Sequence, residues 1–304
     1  MDAIVVDSLV AKCVARTTEA LKSCSPCLTD FQRGQLSLIF HSLRHTHNAI
    51  RDLLRHETRN PISANSMPLV RVQMEDLFAV SLIVEQPRWL DVYVKDGWKA
   101  LYVEHLIARE EWSALPRVVD DLNKQEGWLE LMRRISSVTN EEKATIELEE
   151  LGAALPEGYR AIPIVQFPTP GKSLRLIGDA KRKLMLSRLY LEYRHLCTFV
   201  HASPGPRTIQ AILDPNPAFP VQATPEQLYE VFQRTIAIPA IGLDLLCIVQ
   251  ACTEMIVIYP SDIELRRVLE EAWRKLTECS LLGSVIWDIR AREMVGMIGS
   301  IKAN

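Results

Sequence analysis

Apolar residues recur at helical spacing along almost the whole chain, and the sequence contains no convincing alternating strand pattern. Because each helical residue turns by 100°, positions i, i+3, i+4 and i+7 share one face, so these segments are typical of amphipathic helices. The pattern predicts helices at 2–23, 29–57, 62–85, 87–113, 115–136, 140–152, 175–202, 224–258, 261–281 and 284–298. The predicted fold class is therefore all-α.

Several of these helices begin at a capping box, in which a Ser or Thr side chain and a Glu or Gln three residues later satisfy free backbone amides reciprocally. The matching pairs are Thr29 with Gln32, Thr139 with Glu142, Thr224 with Gln227, and Ser261 with Glu264. These pairs fix the predicted start of four helices.

Two segments interrupt the helical pattern because they are rich in proline. Residues 155–173 contain four Pro and two Gly, and residues 203–225 contain six Pro. Both are predicted loops with a stiffened backbone. We therefore expect an N-terminal helix at 1–27, a bundle of long antiparallel helices at 28–203, and a C-terminal helical subdomain at 204–304.

The composition is that of a globular protein with a substantial core: 304 residues, 48% hydrophobic, with a net charge of -3. Seven cysteines at irregular spacing do not predict a disulfide framework, and they favour a reducing, cytoplasmic environment. The apolar run Ile236–Tyr259 is long enough to span a bilayer, but polar residues interrupt it, so we expect a buried core helix and no membrane partner. The interrupting residues are Pro239, Asp244, Gln250 and Glu254.

One stretch is basic in this acidic chain, and it leads into an Arg–His pair. Between residues 172 and 188, six cations stand against the single acid Asp179, and we take three of them as candidate substrate-binding residues: Lys181, Arg182 and Arg188. Further along the same predicted helix, Tyr190, Arg194 and His201 fall within about 40° of one line. Arg194 and His201 are two turns apart, so both side chains can reach one phosphate.

Arg71 and Glu75 are a second candidate pair. They lie four residues apart on an otherwise apolar predicted helix, so they share a face. One interpretation is an interhelical ion pair, because a buried charge left alone is costly. The other is an anion clamp in which Glu75 holds Arg71 in place. The sequence leaves both open.

A stripe of imidazoles offers a third candidate site. His41, His45, Asp52 and His56 lie near one line of a predicted helix, and side chains of this kind bind transition metals. The stripe spans four turns, which is too long for one ion, and the sequence provides no complete ligand set. A solvated polar face is the favoured interpretation, and we expect neither a metal nor a cofactor.

The segment Arg194-His195-x5-His201 resembles the Arg-(four to six residues)-His signature of the HEPN superfamily of all-helical proteins. Many HEPN proteins are metal-independent ribonucleases of bacterial toxin and defence systems. The resemblance implies catalytic roles for Arg194 and His201, RNA as the partner, and a homodimer that shares its sites between protomers. Arg71 and Glu75 with the later Tyr-Arg…Val-His-Ala-Ser also resemble an uncharacterised bacterial all-helical family over residues 50–205, and that family implies no activity.

Three functions follow from these observations. The leading hypothesis is a HEPN-like endoribonuclease or RNA-binding protein of a stress or phage-defence system, in which Tyr190 positions the substrate. The second is a non-enzymatic helical scaffold or partner-binding protein with Arg71, Glu75, Arg194 and His201 in a buried network. The third is a metal-dependent helical enzyme that uses the stripe from His41 to His56. Burial of Arg194 and His201 distinguishes the first from the second.

Overall fold

The computed structural model describes residues 3–23, 28–59, 66–150, 164–200 and 224–296, and in these ranges the chain forms helices and no strand. The all-α prediction is confirmed. The helices are α1 (Ala3–Lys22), α2 (Asp30–Arg59), α3 (Ser66–Glu85), α4 (Arg88–Glu111), α5 (Pro116–Ile135), α6 (Asn140–Glu150), α7 (Pro170–Leu176), α8 (Ala180–Val200), α9 (Pro225–Phe232), α10 (Ile238–Glu254), α11 (Ile263–Cys279), α12 (Leu281–Ile286) and α13 (Arg292–Val295). Single turns of π-helix at Gln233–Ala237 and Trp287–Ala291 join α9 to α10 and α12 to α13, and a 3-10 turn at Met255–Val257 follows α10.

The chain divides into two compact units. The larger unit combines Met1–Glu85 with Thr169–Asn304, and the smaller unit is Gln86–Pro168. The segment boundaries at residues 27 and 203 stay predictions, and the packing divides the chain at 85 and 168. The reason is that α10, from the C-terminal part of the chain, packs against α1, α2 and α3 from the N-terminal part.

The core of the larger unit is built around α3 and α10. Most residues of both helices are buried, including polar ones such as Gln73, Asp244 and Glu254. Helices that are apolar on all sides are typical of a protein interior. Several other helices of the unit pack against this pair: α3 also contacts α2, α7 and α8, while α10 also contacts α11.

The apolar helical stretch Tyr229–Val257 is, by length and composition, able to cross a membrane, and it is the one such stretch in the described ranges. Of its most apolar window, 72% is buried inside the protein. A core helix of a globular protein passes the same test. The expectation that the chain has no membrane partner therefore stays a prediction.

The capping boxes are confirmed at three of the four predicted helix starts. In each, the side chain of a Thr accepts a hydrogen bond from the amide of the residue three positions later, whose side chain accepts one from the amide of the Thr. The fourth prediction is wrong, because Asp262, not Ser261, caps α11 by accepting from the amide of Leu265 at 2.8 Å. An aspartate is as good a cap as a serine.

The predicted loop at 155–173 and the predicted helix at 175–202 need correction. Residues 151–163 lie outside the described part, but α7 already begins at Pro170, where a missing amide hydrogen costs a helix nothing. The helical path then breaks at Ile177–Asp179. Glu85 accepts hydrogen bonds from the amides of Gly178 (2.6 Å) and Asp179 (3.3 Å), and Asp179 caps α8 by accepting from the amide of Arg182 (2.6 Å).

The smaller unit has its own aromatic core. The rings of Trp98 and Tyr102 on α4 are stacked with centroids 4.8 Å apart, and the Trp98 indole donates to the carbonyl oxygen of Leu129 on α5 at 3.1 Å. Val138, Ile146 and Ile164 complete this cluster. The unit thus buries large apolar side chains by itself, which is the main requirement for a separate core.

A buried ionic network joins three parts of the larger unit. Glu254, at the end of α10, is fully buried and accepts hydrogen bonds from Arg182 of α8 and from Arg290. Arg182 also donates to Glu85 at 2.6 Å, and Arg290 to Asp179 at 2.9 Å. Both arginines are nearly inaccessible to solvent, so carboxylates offset the cost of burying their charge.

We predict that Glu254→Ala lowers the free energy of unfolding by about 3–5 kcal/mol, because it leaves two buried guanidinium groups without their shared carboxylate. Urea unfolding followed by circular dichroism measures the change. The control is Glu264→Ala, which breaks an exposed, solvent-screened pair with Arg267 and should cost much less. Equal losses for the two variants would contradict this account of the network.

Candidate functional site

Helix α8 has one buried face and one basic exposed face. Met185, Leu186, Leu189 and Leu196 are completely buried, and they fall on one side of the helix at 100° per residue. The opposite side is exposed and contains four cations, two leucines and a histidine: Lys181, Lys183, Leu184, Arg188, Leu191, Arg194 and His195. The apolar face fixes α8 against the core, so the cations on the opposite side point to solvent.

Five cations of α7 and α8 are exposed and have no carboxylate oxygen within ion-pairing distance among the described residues. They are Lys172, Arg175, Lys183, Arg188 and Arg194, which we call the basic face. Two of the predicted site residues, Arg188 and Arg194, belong to it. Exposed guanidinium groups without a protein partner are available to an external anion.

The two other basic residues predicted to bind substrate are already engaged by the protein. Arg182 is 3% exposed and lies in the ionic network with Glu254 and Glu85. Lys181 is half-exposed and pairs with Glu293. The sequence pattern could not separate these residues from the basic face, because the separation depends on which side of α8 faces Glu254 of α10 and the C-terminal π-helical turn Trp287–Ala291.

Arg71 and Glu75 do form an ion pair, with Nη2 of Arg71 2.9 Å from Oε1 of Glu75, and the pair is half-buried. A third residue, Tyr193 of α8, completes it. The Tyr193 hydroxyl donates to Glu75 at 2.8 Å and accepts from Arg71 at 3.3 Å, and the Arg71 guanidinium lies 5.5 Å from the ring centroid. Burial, together with the Glu75 carboxylate, raises the pKa of Tyr193 above its ordinary range.

This cluster connects two groups that the sequence predicted separately. Tyr190 stacks on Tyr193 with ring centroids 5.8 Å apart, and both rings contact Phe78 of α3. The structure thus brings Arg71, Glu75 and Tyr190 together between α3 and α8. Sequence reasoning missed Tyr193, although its spacing of four from Leu189 and three from Leu196 marks it as facing the core.

Tyr190 covers the start of α7. A Cβ atom added to Gly171 would lie 2.8 Å from the Tyr190 hydroxyl oxygen, which is closer than real Cβ atoms approach. Any larger residue at position 171 would therefore have to displace the hydroxyl end of Tyr190, a side chain that is half-buried. Tyr190 is held between Gly171 and Tyr193 at the edge of the basic face.

The predicted catalytic pair is only partly described. Arg194 is exposed, so it does not belong to a buried network with Arg71 and Glu75. His201 lies outside the described residues. His195 is also exposed, and its ring meets Phe199 edge-on with centroids 5.5 Å apart.

The imidazole stripe of α2 faces solvent. His41, His45 and Asp52 are exposed, and the side chain of His56 lies outside the described part. Within the described ranges no three His, Cys, Asp or Glu side chains converge as metal ligands. The expectation of no metal stays a prediction.

The buried imidazole of α2 is instead His47, which the sequence reasoning did not single out. Its Nδ1 lies 2.6 Å from Oδ2 of Asp244 and its Nε2 3.3 Å from Oδ1 of Asp7. Burial by itself lowers the pKa of the imidazole, but the hydrogen bonds and charges of the two aspartates outweigh it, so the pKa of His47 is raised. Gln73 donates to the other Asp244 oxygen at 2.8 Å, which leaves that carboxylate fully engaged.

Asp76 lies beside this network and is less well satisfied. Its side chain is 9% exposed, and its Oδ2 atom has no hydrogen-bond partner. Burial, with a smaller effect from the nearby Glu75 charge, raises the pKa of Asp76 to about 7. Below about pH 7 the folded protein therefore favours the neutral carboxylic acid at this position.

No protein-family model matches the chain, and neither a curated protein nor a solved structure matches it. The residues and their geometry therefore carry the functional interpretation.

We predict that the effect of Asp76→Asn on the free energy of unfolding depends on pH. The change that the substitution causes should be more stabilising at pH 8 than at pH 5, by more than about 1 kcal/mol. In the wild type the folded-state pKa exceeds the unfolded value, so the native state holds a proton that the unfolded chain has lost between about pH 4 and pH 7. The stability that this proton contributes is present at low pH and disappears as pH rises through 7. Urea unfolding from pH 5 to pH 8 measures the difference. The control Asp52→Asn, at an exposed position, shows how much the loss of a surface carboxylate alone changes the stability.

We predict that Glu75 and Tyr193 are energetically coupled through their hydrogen bond. Because the cluster is half-buried, Glu75→Ala and Tyr193→Phe should each lower the free energy of unfolding by about 1 kcal/mol. In a double-mutant cycle the two changes should interact by about 0.5 kcal/mol or more. The control is a second cycle that combines Tyr193→Phe with Glu264→Ala on α11. The effects of these two changes on the free energy of unfolding should add. If the effects add in both cycles, the hydrogen bond between Tyr193 and Glu75 contributes nothing to the stability of the protein.

Proposed function

We propose that the protein is a HEPN-like RNA-binding protein that binds RNA through the basic face of α7 and α8, and that Arg194 with His201 gives it metal-independent endoribonuclease activity. The observation that carries the proposal is the exposure of five cations without a carboxylate partner in the described part of the chain. Elsewhere on the larger unit, several exposed cations are paired on their own helix, as Arg234 is with Glu230 and Arg267 with Glu264.

The local charge supports a polyanionic partner. Residues 172–195 contain seven Lys or Arg and two Asp or Glu, which gives 7 − 2 = +5, although the whole chain has a net charge of -3. A concentrated positive field on one helix face attracts phosphates despite a negative overall charge. Single-stranded RNA suits an exposed face of this kind, since its phosphates are reachable along one side of an extended backbone.

The spacing of the cations fits contacts with several phosphates. Lys183 and Arg194 are eleven residues apart, so they differ by about 20° around α8 and by about 16 Å along its axis. Arg188 lies on the other edge of the exposed face, about 120° from Arg194. A nucleic acid strand that crosses the helix could therefore meet guanidinium or ammonium groups on both edges.

The proposed cleavage needs a base, an acid and a cation. A base removes the proton of the ribose 2′-hydroxyl, the 2′ oxygen attacks phosphorus, and the bond from phosphorus to the 5′ oxygen breaks as that oxygen takes up a proton. The products are a 2′,3′-cyclic phosphate and a 5′-hydroxyl. We assign the proton transfers to His201, because an imidazole titrates near neutral pH, and the stabilisation of the phosphorane to Arg194.

A scaffold or partner-binding function is the second candidate, and the Arg71, Glu75 and Tyr193 cluster favours it. These three side chains satisfy one another, which is typical of a structural contact between two helices. The exposure of Arg194 outside that cluster favours the RNA proposal over it.

Binding is tested with a fluorescently labelled single-stranded RNA by fluorescence anisotropy over a range of salt concentrations. Arg188→Ala and Lys183→Ala should each weaken binding and reduce the slope of log affinity against log salt by about 0.7, the value for one lost phosphate contact. The control Arg267→Ala removes an exposed cation that is paired with Glu264, and it should leave both quantities unchanged.

Cleavage is tested on the same RNA with EDTA present. Arg194→Lys should retain most of the binding because the charge is kept, but it should lose cleavage because an ammonium cannot replace the planar guanidinium on a phosphate. His201→Ala should likewise bind without cutting. Wild-type cleavage rates in Arg194→Lys would contradict the catalytic assignment, and a wild type that neither binds nor cuts RNA would favour the scaffold function.

A further inference from the structure

A cavity of about 480 Å³ opens between the start of α8 and the C-terminal helices of the larger unit. Two almost fully buried arginines, Arg266 of α11 and Arg290, contribute to its lining. None of the five cations of the basic face lines it, so the cavity is separate from the proposed RNA contact. Its volume lies within the range of small-molecule sites.

Arg266 is a buried cation, and in the described part of the chain its hydrogen bonds go only to backbone carbonyls. It is 5% exposed, its Nε and Nη2 donate to the carbonyl oxygen of Pro260 at 3.1 and 3.0 Å, and its Nη1 donates to the carbonyl oxygen of Met294. No carboxylate of the described chain pairs with it. Burial lowers the pKa of Arg266, and no neighbouring acid opposes that effect.

Carbonyl dipoles offset only part of a full buried charge. A guanidinium has five N–H groups, and three of those of Arg266 donate to carbonyls of the described chain, which leaves one N–H each on Nη1 and Nη2 without an acceptor in those ranges. Two such donors in one plane suit a bidentate contact with an oxyanion. An anion in the cavity would therefore supply the charge partner that the described residues do not give Arg266.

Arg290 shows the contrast on the same cavity. Its guanidinium is 6% exposed, but it donates to both oxygens of Glu254 and to Asp179. The charge of Arg290 is thus balanced within the protein. Of the two arginines, Arg266 is therefore the one whose charge a bound anion would balance.

The rest of the lining is mixed in charge and partly apolar. The carboxylate of Asp179 also lines the cavity, but it is paired with Arg290 at 2.9 Å. Lys181 and Glu293 pair with each other, and both side chains are more than half exposed. Ile256 and Val257 provide an apolar wall. The lysine would attract an incoming anion and the glutamate would repel it.

We propose that this cavity binds the phosphate group of a small phosphorylated molecule, with Arg266 as the principal contact, Lys181 as a second cation, and Ile256 and Val257 against the body of the ligand. The site is independent of the proposed RNA-binding function, because it uses a different surface and different cations.

Isothermal titration calorimetry of the full chain with inorganic phosphate, adenosine 5′-monophosphate and adenosine tests the proposal. We expect saturable binding of the two phosphates and none of adenosine. Tighter binding of the nucleotide than of inorganic phosphate would support a phosphate ester as the ligand, and equal binding would support free phosphate. Arg266→Gln should abolish binding, whereas Arg267→Gln, which removes the exposed neighbouring arginine, should leave it unchanged.

Two variants at the rim of the cavity, Lys181→Gln and Glu293→Gln, keep the test decisive if Arg266→Gln does not fold. The side chains of Lys181 and Glu293 are exposed, so replacing them should not unfold the protein. Lys181→Gln should weaken phosphate binding by about tenfold, the loss of one charge-assisted contact. Glu293→Gln should strengthen it, because the repelling carboxylate is gone and Lys181 is released. The proposal is overturned if wild type binds neither phosphate, if Arg267→Gln loses as much affinity as Arg266→Gln, or if neither rim variant changes the affinity.

Discussion

The carboxylate of Glu254 is the interaction on which the arrangement of the larger unit depends. It is fully buried at the end of α10 and binds two arginines from separate parts of the chain, Arg182 and Arg290. A buried carboxylate with two guanidinium partners tolerates little displacement of any member, since each partner that leaves exposes an uncompensated charge to a low-dielectric interior. The contact therefore determines where the start of α8 lies relative to α10 and to the C-terminal π-helical turn Trp287–Ala291.

Fixing Arg182 also fixes the rotation of α8. Because each residue turns the helix by 100°, an inward Arg182 places Lys183 and Arg188 on the outward half, while Leu189 and Tyr193 return to the core. The same rotation sets Tyr193 against Arg71 and Glu75 and turns Arg194 to solvent. The buried ionic network, the half-buried tyrosine cluster and the basic face are thus three consequences of one helix orientation.

The sequence predicted what depends on local chemistry and periodicity. The all-α class followed from apolar spacing, and three capping boxes form as predicted because both partners lie within four residues of each other. The predictions from the sequence failed where contacts between residues far apart in the chain determine the structure. The break between α7 and α8 depends on Glu85, more than ninety residues away, and the role of His47 depends on Asp244, almost two hundred residues away. For the same reason the sequence grouped Arg182 with the exposed cations, since it could not identify Glu254 as its partner.

The arginines of this fold have three different chemical roles, which depend on whether the side chain is buried and whether a carboxylate pairs with it. Arg182 and Arg290 are buried with carboxylates, so their charge holds the protein together and is closed to ligands. Arg188 and Arg194 are exposed without carboxylates in the described chain, so an anion must displace only water and counterions, and binding there should weaken steeply with salt. Arg266 is buried without a carboxylate, where salt screens little and a single well-placed anion gains most from the unbalanced charge. The salt dependence of anion binding therefore separates the basic face from the cavity without any change to the sequence.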